Sequence, residues 1–347
     1  MTGSIRTAST LEVIPSEDDS TEELLKACAD SVRLRILRAL RHDSFSVSEL
    51  CVILEMKQPA VSHHLKVLLG VGLLAIRREG TITFYRRVWP TVIDSVRADL
   101  VRALFSAFDA RPLDGTLSDQ IEEIKRLRSR DARDFFNRHS REFTKTQELI
   151  ALPEQYLPTV QEMLERSCRG RARAEIGNND PLAKGRAVLE IGAGRGELIR
   201  PLLELFHSVY VVDVSEEMLE LTCRAIPTGE RERVTIIHGD TGVAVATEMT
   251  VSHVVCAMVL HHVPSPADIF RDCAKLLEPG GSVIVADLCR HNQSWAIERC
   301  GDMWLGFDPI ELEGFATHAG LVAGDQEFFA LRNGFQIQVR RFDKISV

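Results

Sequence analysis

Apolar side chains at Leu24, Leu25, Cys28, Val32, Ile36, Leu37 and Leu40 recur at helical spacing, and Ser20 with Glu23 ahead of them has the form of a capping box. Ser46 and Glu49 repeat that form before a shorter run ending at Leu54. Glu55 to Pro59 then turns, with proline suited to the first turn of a new helix that Gly70 and Gly72 stop. Residues 73–88, LLAIRREGTITFYRRV, alternate as two short strands about Glu79-Gly80-Thr81. A further amphipathic helix covers 91–109, either packing in the same domain or pairing with a second subunit. Arg111-Pro112 through Gly115 reads as a hinge, followed by a charged helix to about Arg130. Residues 132–168, with Phe135, Phe136, Phe143 and Tyr156, read as a helical lid.

From Lys184 the period changes. Buried strands are predicted near 187–191, 208–213, 233–238, 253–258, 282–288, 326–331 and 335–342, with helices between most of them. Such alternation predicts a doubly wound sheet carrying its ligand chemistry at the carboxyl ends of the strands. Helix, short helix, turn, helix and hairpin, by contrast, is the order of a winged helix-turn-helix. The chain is thus an α/β protein with four stretches. Residues 1–19 form a mobile polar tail, 20–110 a winged-helix domain, 111–183 a linker and lid, and 184–347 a seven-stranded Rossmann-like domain.

Composition narrows the class. At 45% apolar and 27% charged residues the chain is an ordinary globular one, and no apolar run approaches the ~20 residues of a membrane span. The polar, acidic start lacks a secretory apolar core, so a cytoplasmic address is expected. Eight scattered cysteines without a C-x-x-C pair read as reduced, mostly buried thiols. The net charge of −8 hides an asymmetry: residues 22–90 hold eleven Lys/Arg against seven Asp/Glu, leaving −12 for the rest. A small basic module on an acidic body suits local contact with DNA.

In the helix from Pro59, Val61, Leu65 and Leu68 share one face, so Gln58, Ser62, His63 and Lys66 are offered on the other. Polar groups near a helix N-terminus reach base edges in the major groove, while Lys66 and the hairpin residues Arg77 and Arg78 suit phosphates. The segments LLKACADSVRLRILRAL, SVSELCVILEMKQPAVSHHLKVLLGVGLL and RREGTITFYR resemble the ArsR/SmtB family of bacterial repressors over about 70 residues. That resemblance implies a homodimer on a palindromic operator, with Pro59 to Leu65 in the groove. Lys57 departs from the family's usual serine cap. Many members sense metals, yet here Ile53 stands where the second cysteine beside Cys51 would be, and 91–109 has no histidine. A lone thiolate is a poor soft-metal site, so no metal is expected.

Val188 to Leu198 is an apolar strand running into Gly192-Ala193-Gly194-Arg195-Gly196. Glycines there let a ligand approach backbone closely. Glu190 precedes the loop, Asp213 closes the next strand, and His238-Gly239-Asp240 closes the third. An acid about 20 residues on suits ribose hydroxyls, but Glu197 replaces the third glycine of a dinucleotide fingerprint, so NAD suits the loop less well. Residues from about 184 to 347 resemble class I S-adenosylmethionine (SAM)-dependent methyltransferases, adding MVLHHV at 258–263 and LEPGG at 277–281. By that resemblance Glu190 and the glycine loop face the methionyl part, Asp213 holds the ribose and Asp240 with Thr241 borders the adenine. Ala193, Val214 and Met258 complete the candidate cofactor set. Acids also suit a cationic sulfonium. Ser252-His253 departs from the family, where aspartate is common.

Methyl transfer from a sulfonium needs chiefly alignment, with a proton acceptor only for a poor nucleophile. The candidates for that role are His261, His262 and His291. Two functions follow. Either SAM or its product S-adenosylhomocysteine alters operator affinity, making the chain a ligand-responsive regulator, or the domain methylates a small molecule while the DNA-binding part regulates its genes.

Overall fold

The helical period from Leu24 to Leu40 is broken in space by Asp30, whose carboxylate accepts the Arg33 amide at 2.9 Å. One expected stretch therefore becomes α1 (Thr21–Cys28) and α2 (Ser31–Ala39). The computed structural model describes residues 21–89, 96–176 and 186–345 and divides into two compact units, Met1–Ile124 and Lys125–Val347. The expected polar tail and the Ser20 cap lie outside the described residues.

In the smaller unit β1 (Phe45–Ser46) leads into α3 (Val47–Leu54). The capping box is present: the Ser46 amide donates to Glu49 Oε2 at 2.7 Å and the Glu49 amide to Ser46 Oγ at 3.3 Å. Then come α4 (Gln58–Gly70), β2 (Leu74–Glu79), β3 (Ile82–Arg87) and α5 (Val96–Asp109). The hairpin turns at Gly80, φ 57°, and the sheet order is β1-β3-β2. Residues 91–95 of the expected last helix lie outside the described residues.

An arginine clamps this unit. Arg87, at the base of the hairpin, is 6% exposed and meets Asp109 at the end of α5 through two bonds of 2.8 and 2.9 Å. It also donates to the Leu37 carbonyl of α2 at 2.6 Å. One guanidinium thus ties hairpin, α2 and α5 together.

Residues 111–114, where a hinge was expected, are irregular, and α6 (Gly115–Gln147) then runs as one helix of 33 residues, past its expected end near Arg130, with the division between the units falling inside it. In the larger unit α7 (Pro153–Ile176) packs on the sheet through buried Val160, Met163 and Leu164. The lid expected over 132–168 is corrected to that extent: most of α7 belongs to the covering layer, because its apolar face has a sheet to bury against. The side chains of Phe136 and Phe143 lie outside the described ones.

Strands and helices alternate as expected: β4 (Ala187–Ile191), α8 (Ile199–Leu205), β5 (Ser208–Asp213), α9 (Glu216–Ala225), β6 (Val234–His238), α10 (Thr241–Ala246) and β7 (Val251–Ala257). After a 3-10 turn at Leu260–His262 follow α11 (Pro266–Leu276), β8 (Leu277–Leu288), α12 (Trp295–Cys300), α13 (Pro309–His318), β9 (Leu321–Ala330) and β10 (Gln336–Lys344). The seven-stranded order is β6-β5-β4-β7-β8-β10-β9, with only β10 antiparallel to its neighbours. β8 and β9 begin five residues before their predicted starts, where Pro279, Gly280, Gly281 and Gly324 weaken the strand signal. Partner strands supply the ladder there: Val251 pairs with Leu277 and Lys344 with Leu321. Among the described residues no helix is long and apolar enough to cross a membrane.

Removing one partner of a buried ion pair strands the other charge, at about 3 kcal/mol or more. Asp109→Ala is therefore expected to destabilise the smaller unit by about 3 kcal/mol. Urea unfolding measures this, and a loss below about 1 kcal/mol contradicts the clamp.

Candidate functional site

In the smaller unit α4 buries Val61, Leu65 and Leu68 and exposes Gln58, Ser62, His63 and Lys66, so the four of the six predicted DNA-contacting residues that lie on this helix are all solvent-facing. The helix N-terminus at Lys57 makes no side-chain cap bond. The hairpin corrects one expectation. Arg78 is exposed on β2, but Arg77 is 3% exposed and ion-paired with buried Glu79. Strand alternation puts residues 77 and 79 on one side and 78 on the other, so only Arg78 is presented.

The larger unit gathers its acids at the carboxyl ends of β4, β5 and β8, around the point where the strand order reverses beside β4. Gly192 has φ 68°, and a Cβ there would lie 2.5 Å from Val259 Cγ2, so only glycine is accommodated. Gly194 has φ 56°, and a Cβ there would meet Glu197 Oε2 at an ordinary contact distance of 3.9 Å, while its carbonyl accepts from Thr222 Oγ1 at 3.2 Å. Ala193 is buried, and its carbonyl accepts the Gly196 amide at 2.8 Å. The result is a turn whose backbone is open to close approach.

Glu190 is buried under this turn, and its Oε2 has no hydrogen-bond partner among the described residues. Burial, reinforced by Glu197 and Asp213, pushes its carboxyl up to about 8. Asp213 is also raised by burial, to about 6, against the lowering effect of amides from Ser215, Gly194 and Val214. Val214 turns its carbonyl to the His238 ring, 3.2 Å away. Asp240 is exposed and caps α10. Thr241 is buried and donates its hydroxyl proton to Asp272 Oδ2 of α11 at 2.8 Å, tying α10 to α11. Met258 is buried with a left-handed backbone, φ 57°, and its amide donates to Ala286 at 2.7 Å.

The histidines divide. His261 is fully buried, and its Nδ1 donates to Asp287 Oδ1 at 2.7 Å. Burial pulls its pKa down, but Asp287 and Asp302 outweigh this and raise it to about 9. His262, 7% exposed, stacks 4.0 Å from His261, donates to the Gly301 carbonyl at 3.3 Å, and is held well below the usual range by burial and by His261. His291 is separate, packed edge-on against Phe335. The structure therefore brings together two of the three nominated proton acceptors and withdraws both from solvent. Donor atoms of His261, His262 and Asp302 lie within 4.8 Å of one another, Asp302 being 4.0 and 3.8 Å from the two rings. Ligands of a tetrahedral zinc at ~2.1 Å stand roughly 3.4 Å apart, so the set is wider than a formed centre.

Comparison with known proteins agrees with both halves. The profile described as bacterial regulatory protein, arsR family, matches residues 30–75, and the one described as methyltransferase domain matches residues 189–285. The chain carries an arsR-family helix-turn-helix and a methyltransferase domain. The ubiquinone biosynthesis O-methyltransferase of Idiomarina loihiensis is 32% identical over 114 residues, 33% of this chain and 46% of that protein. That of Proteus mirabilis strain HI4320 is 35% identical over 114 residues, 32% of this chain and 45% of that protein. The chain thus spans less than half the length of these curated relatives. Among solved structures, the N-methyltransferase NodS of Bradyrhizobium japonicum WM9 superposes with a TM-score of 0.40 at 13% identity, over 54% of this chain and 98% of that one.

Two residues of the methyltransferase domain were missed in the sequence, and a third was given another place. Asp287 accepts from the Leu260 amide at 2.9 Å, the Leu288 amide at 2.7 Å and His261. An acid ending an apolar strand was its available signal. Thr222, bonded to the glycine turn from α9, had none. Tyr156, expected in the lid, stands at the start of α7 and is held above its usual pKa by burial and by the charges of Glu197, Glu190 and Asp287, which brings it into the field of the acids.

Glu190 and His261 both hold a proton more tightly folded than unfolded. The contribution of His261 is complete below 6.5 and lost as pH rises through 9; that of Glu190 declines from 4.5 to about 8. Stability of the methyltransferase domain is expected to fall between pH 6.5 and 9, and Glu190→Gln should flatten the part below 8. Thermal melts across that range measure it, and a Tm that rises with pH contradicts the assignment.

Proposed function

We propose that this chain is an operator-binding transcription regulator whose methyltransferase domain binds SAM or S-adenosylhomocysteine and tunes DNA affinity by that occupancy. The observation that carries the adenosyl half is the buried Oε2 of Glu190, without a partner among the described residues, beside a left-handed glycine turn. A buried acceptor without a donor costs about 1–3 kcal/mol, which a ligand ammonium would offset. Glu190 and the turn through Gly192, Ala193, Gly194 and Gly196 would hold the methionyl end, Asp213 with Val214 the ribose, Asp240 the adenine edge and Met258 the sulfur. When bound, SAM supplies an activated methyl group on its sulfonium. The chain's own part is to orient the ligand and neutralise its charge.

On DNA, Gln58, Ser62 and His63 would read base edges while Lys66 and Arg78 meet phosphates. Exposed Leu25 and Val96 favour a homodimer. A second reading, small-molecule methylation, is favoured by the similarity to ubiquinone biosynthesis O-methyltransferases. The full burial of His261 favours the sensing reading, because no proton acceptor is offered to a substrate there.

Gel-shift titration on the protein's own promoter, at fixed salt, with SAM and then with S-adenosylhomocysteine, tests the first reading. Operator affinity should change at least about fivefold with one of them. Lys66→Ala should weaken binding to all sequences and lower the log–log salt slope by about one. Gln58→Ala should instead relax preference at one position by about 1–3 kcal/mol. Equal operator affinity with and without both ligands, alongside turnover of labelled SAM, favours the enzyme.

Calorimetry gives a further test. Because the Glu190 carboxyl sits near 8, binding a cationic ligand at pH 7 should release up to about one proton, and affinity should rise from about pH 6 to 8. Glu190→Gln should abolish that release. Proton-neutral binding in the wild type removes Glu190 from the site.

A further inference from the structure

Stretches far apart in the chain meet within the larger unit, just beyond Met258. Lys125 of α6 donates to Asp268 at 2.8 Å, with the two side chains 12% and 28% exposed. One turn on, buried Arg128 donates to the Pro264 carbonyl at 3.2 Å and lays its guanidinium 5.6 Å from the centre of the Trp304 ring. Phe135, two turns further, lies against Gly301, where a Cβ would come within 2.4 Å of the ring. A single helix thereby holds both the 264–268 segment and the 301–304 loop.

Those two segments are bound to each other and to the histidine turn. The Met303 and Trp304 amides both donate to the His261 carbonyl, at 2.8 and 3.0 Å, and Trp304 Nε1 donates to Val263 at 2.8 Å. His262 reaches the Gly301 carbonyl, and His261 is fixed to β8 through Asp287. From Met258 to Phe135 the contacts form one packed network, so a displacement at one end has no slack to absorb it.

We propose that this network is a ligand-responsive latch: an adenosyl ligand seated against Met258 and Glu190 resets the Leu260–His262 turn and so changes the grip on Lys125, Arg128 and Phe135 of α6. The preceding turns of the same helix, Gly115–Ile124, belong to the unit that carries the DNA-contacting face. This inference rests on the sensing function proposed above and names its route. An ion pair, a cation–π contact and a ring seated on a glycine make and break as discrete contacts, which is what a two-state switch requires. Linkage demands the reciprocal effect, so operator DNA should change affinity for the ligand by the same factor.

The test uses the full chain, its own promoter fragment and SAM or S-adenosylhomocysteine as probe, with Lys125→Met and Phe135→Ala as independent variants. Wild type should show at least about a fivefold ligand effect on operator affinity, and each variant should bring that ratio to within about twofold of one while calorimetric ligand affinity stays within about threefold. Variants that keep the wild-type ratio overturn the latch. Hydrogen exchange supplies a readout that needs no DNA: ligand should alter exchange of the 125–135 amides. If the wild type binds ligand but those amides do not respond, the latch fails and the adenosyl site stands. If it binds neither adenosyl compound, the site proposed above fails and the latch with it.

Discussion

The carboxylate of Asp287, fully buried at the end of β8, organises the working face of the larger unit. It accepts three hydrogen bonds, from Leu260, Leu288 and His261, and in doing so joins the end of β8 to the turn that leaves β7. A buried carboxylate is tolerable only when its acceptor capacity is met and its charge balanced. Here backbone amides meet the first need and the proton retained by His261 meets the second. Met258, two residues before Leu260, is held in its left-handed conformation between this anchor and its own bond to Ala286.

Around that anchor the acids are unequal in setting. Asp287 is satisfied within the fold, whereas Glu190 keeps an oxygen without a partner among the described residues, and Asp213 is only half-buried. Their common effect is a negative field over the glycine turn, felt even by Tyr156 on α7. The field is costly for the protein alone, since Glu197 and Asp213 add to burial in disfavouring the charged form of Glu190. A cationic ligand turns that cost into binding energy, which favours an adenosyl sulfonium over a dinucleotide.

The smaller unit solves a different problem, that of holding a thin hairpin and the exposed face of α4 on a small core. Arg87 supplies a cross-link from β3 to α2 and α5, and His64 on α4 lies 3.7 Å from Asp30, which caps α2. Polar residues thus brace the back of α4 while its front remains exposed.

Much of this was legible in the residues. Helical period, the Ser46–Glu49 capping box, the glycine punctuation at 70, 80 and 192–196, and strands alternating with helices specify both domain types, since each signal is local and the physics behind it acts over a few neighbours. The exposed set Gln58, Ser62, His63 and Lys66 followed from one buried stripe on the same helix. Boundaries failed where a partner strand overrode weak local preference, as at 277–281 and 321–325. What only the tertiary structure decided was the pairing of groups distant in sequence or turned by the fold: Arg77 directed inward onto Glu79, Thr241 bonded to Asp272, His261 sealed against Asp287, and α6 gripped by Asp268, Trp304 and Gly301. No pattern in the neighbouring residues encodes such partners, because the energy of burying and satisfying a charge depends on which side chains the folded chain brings within a few ångströms of it.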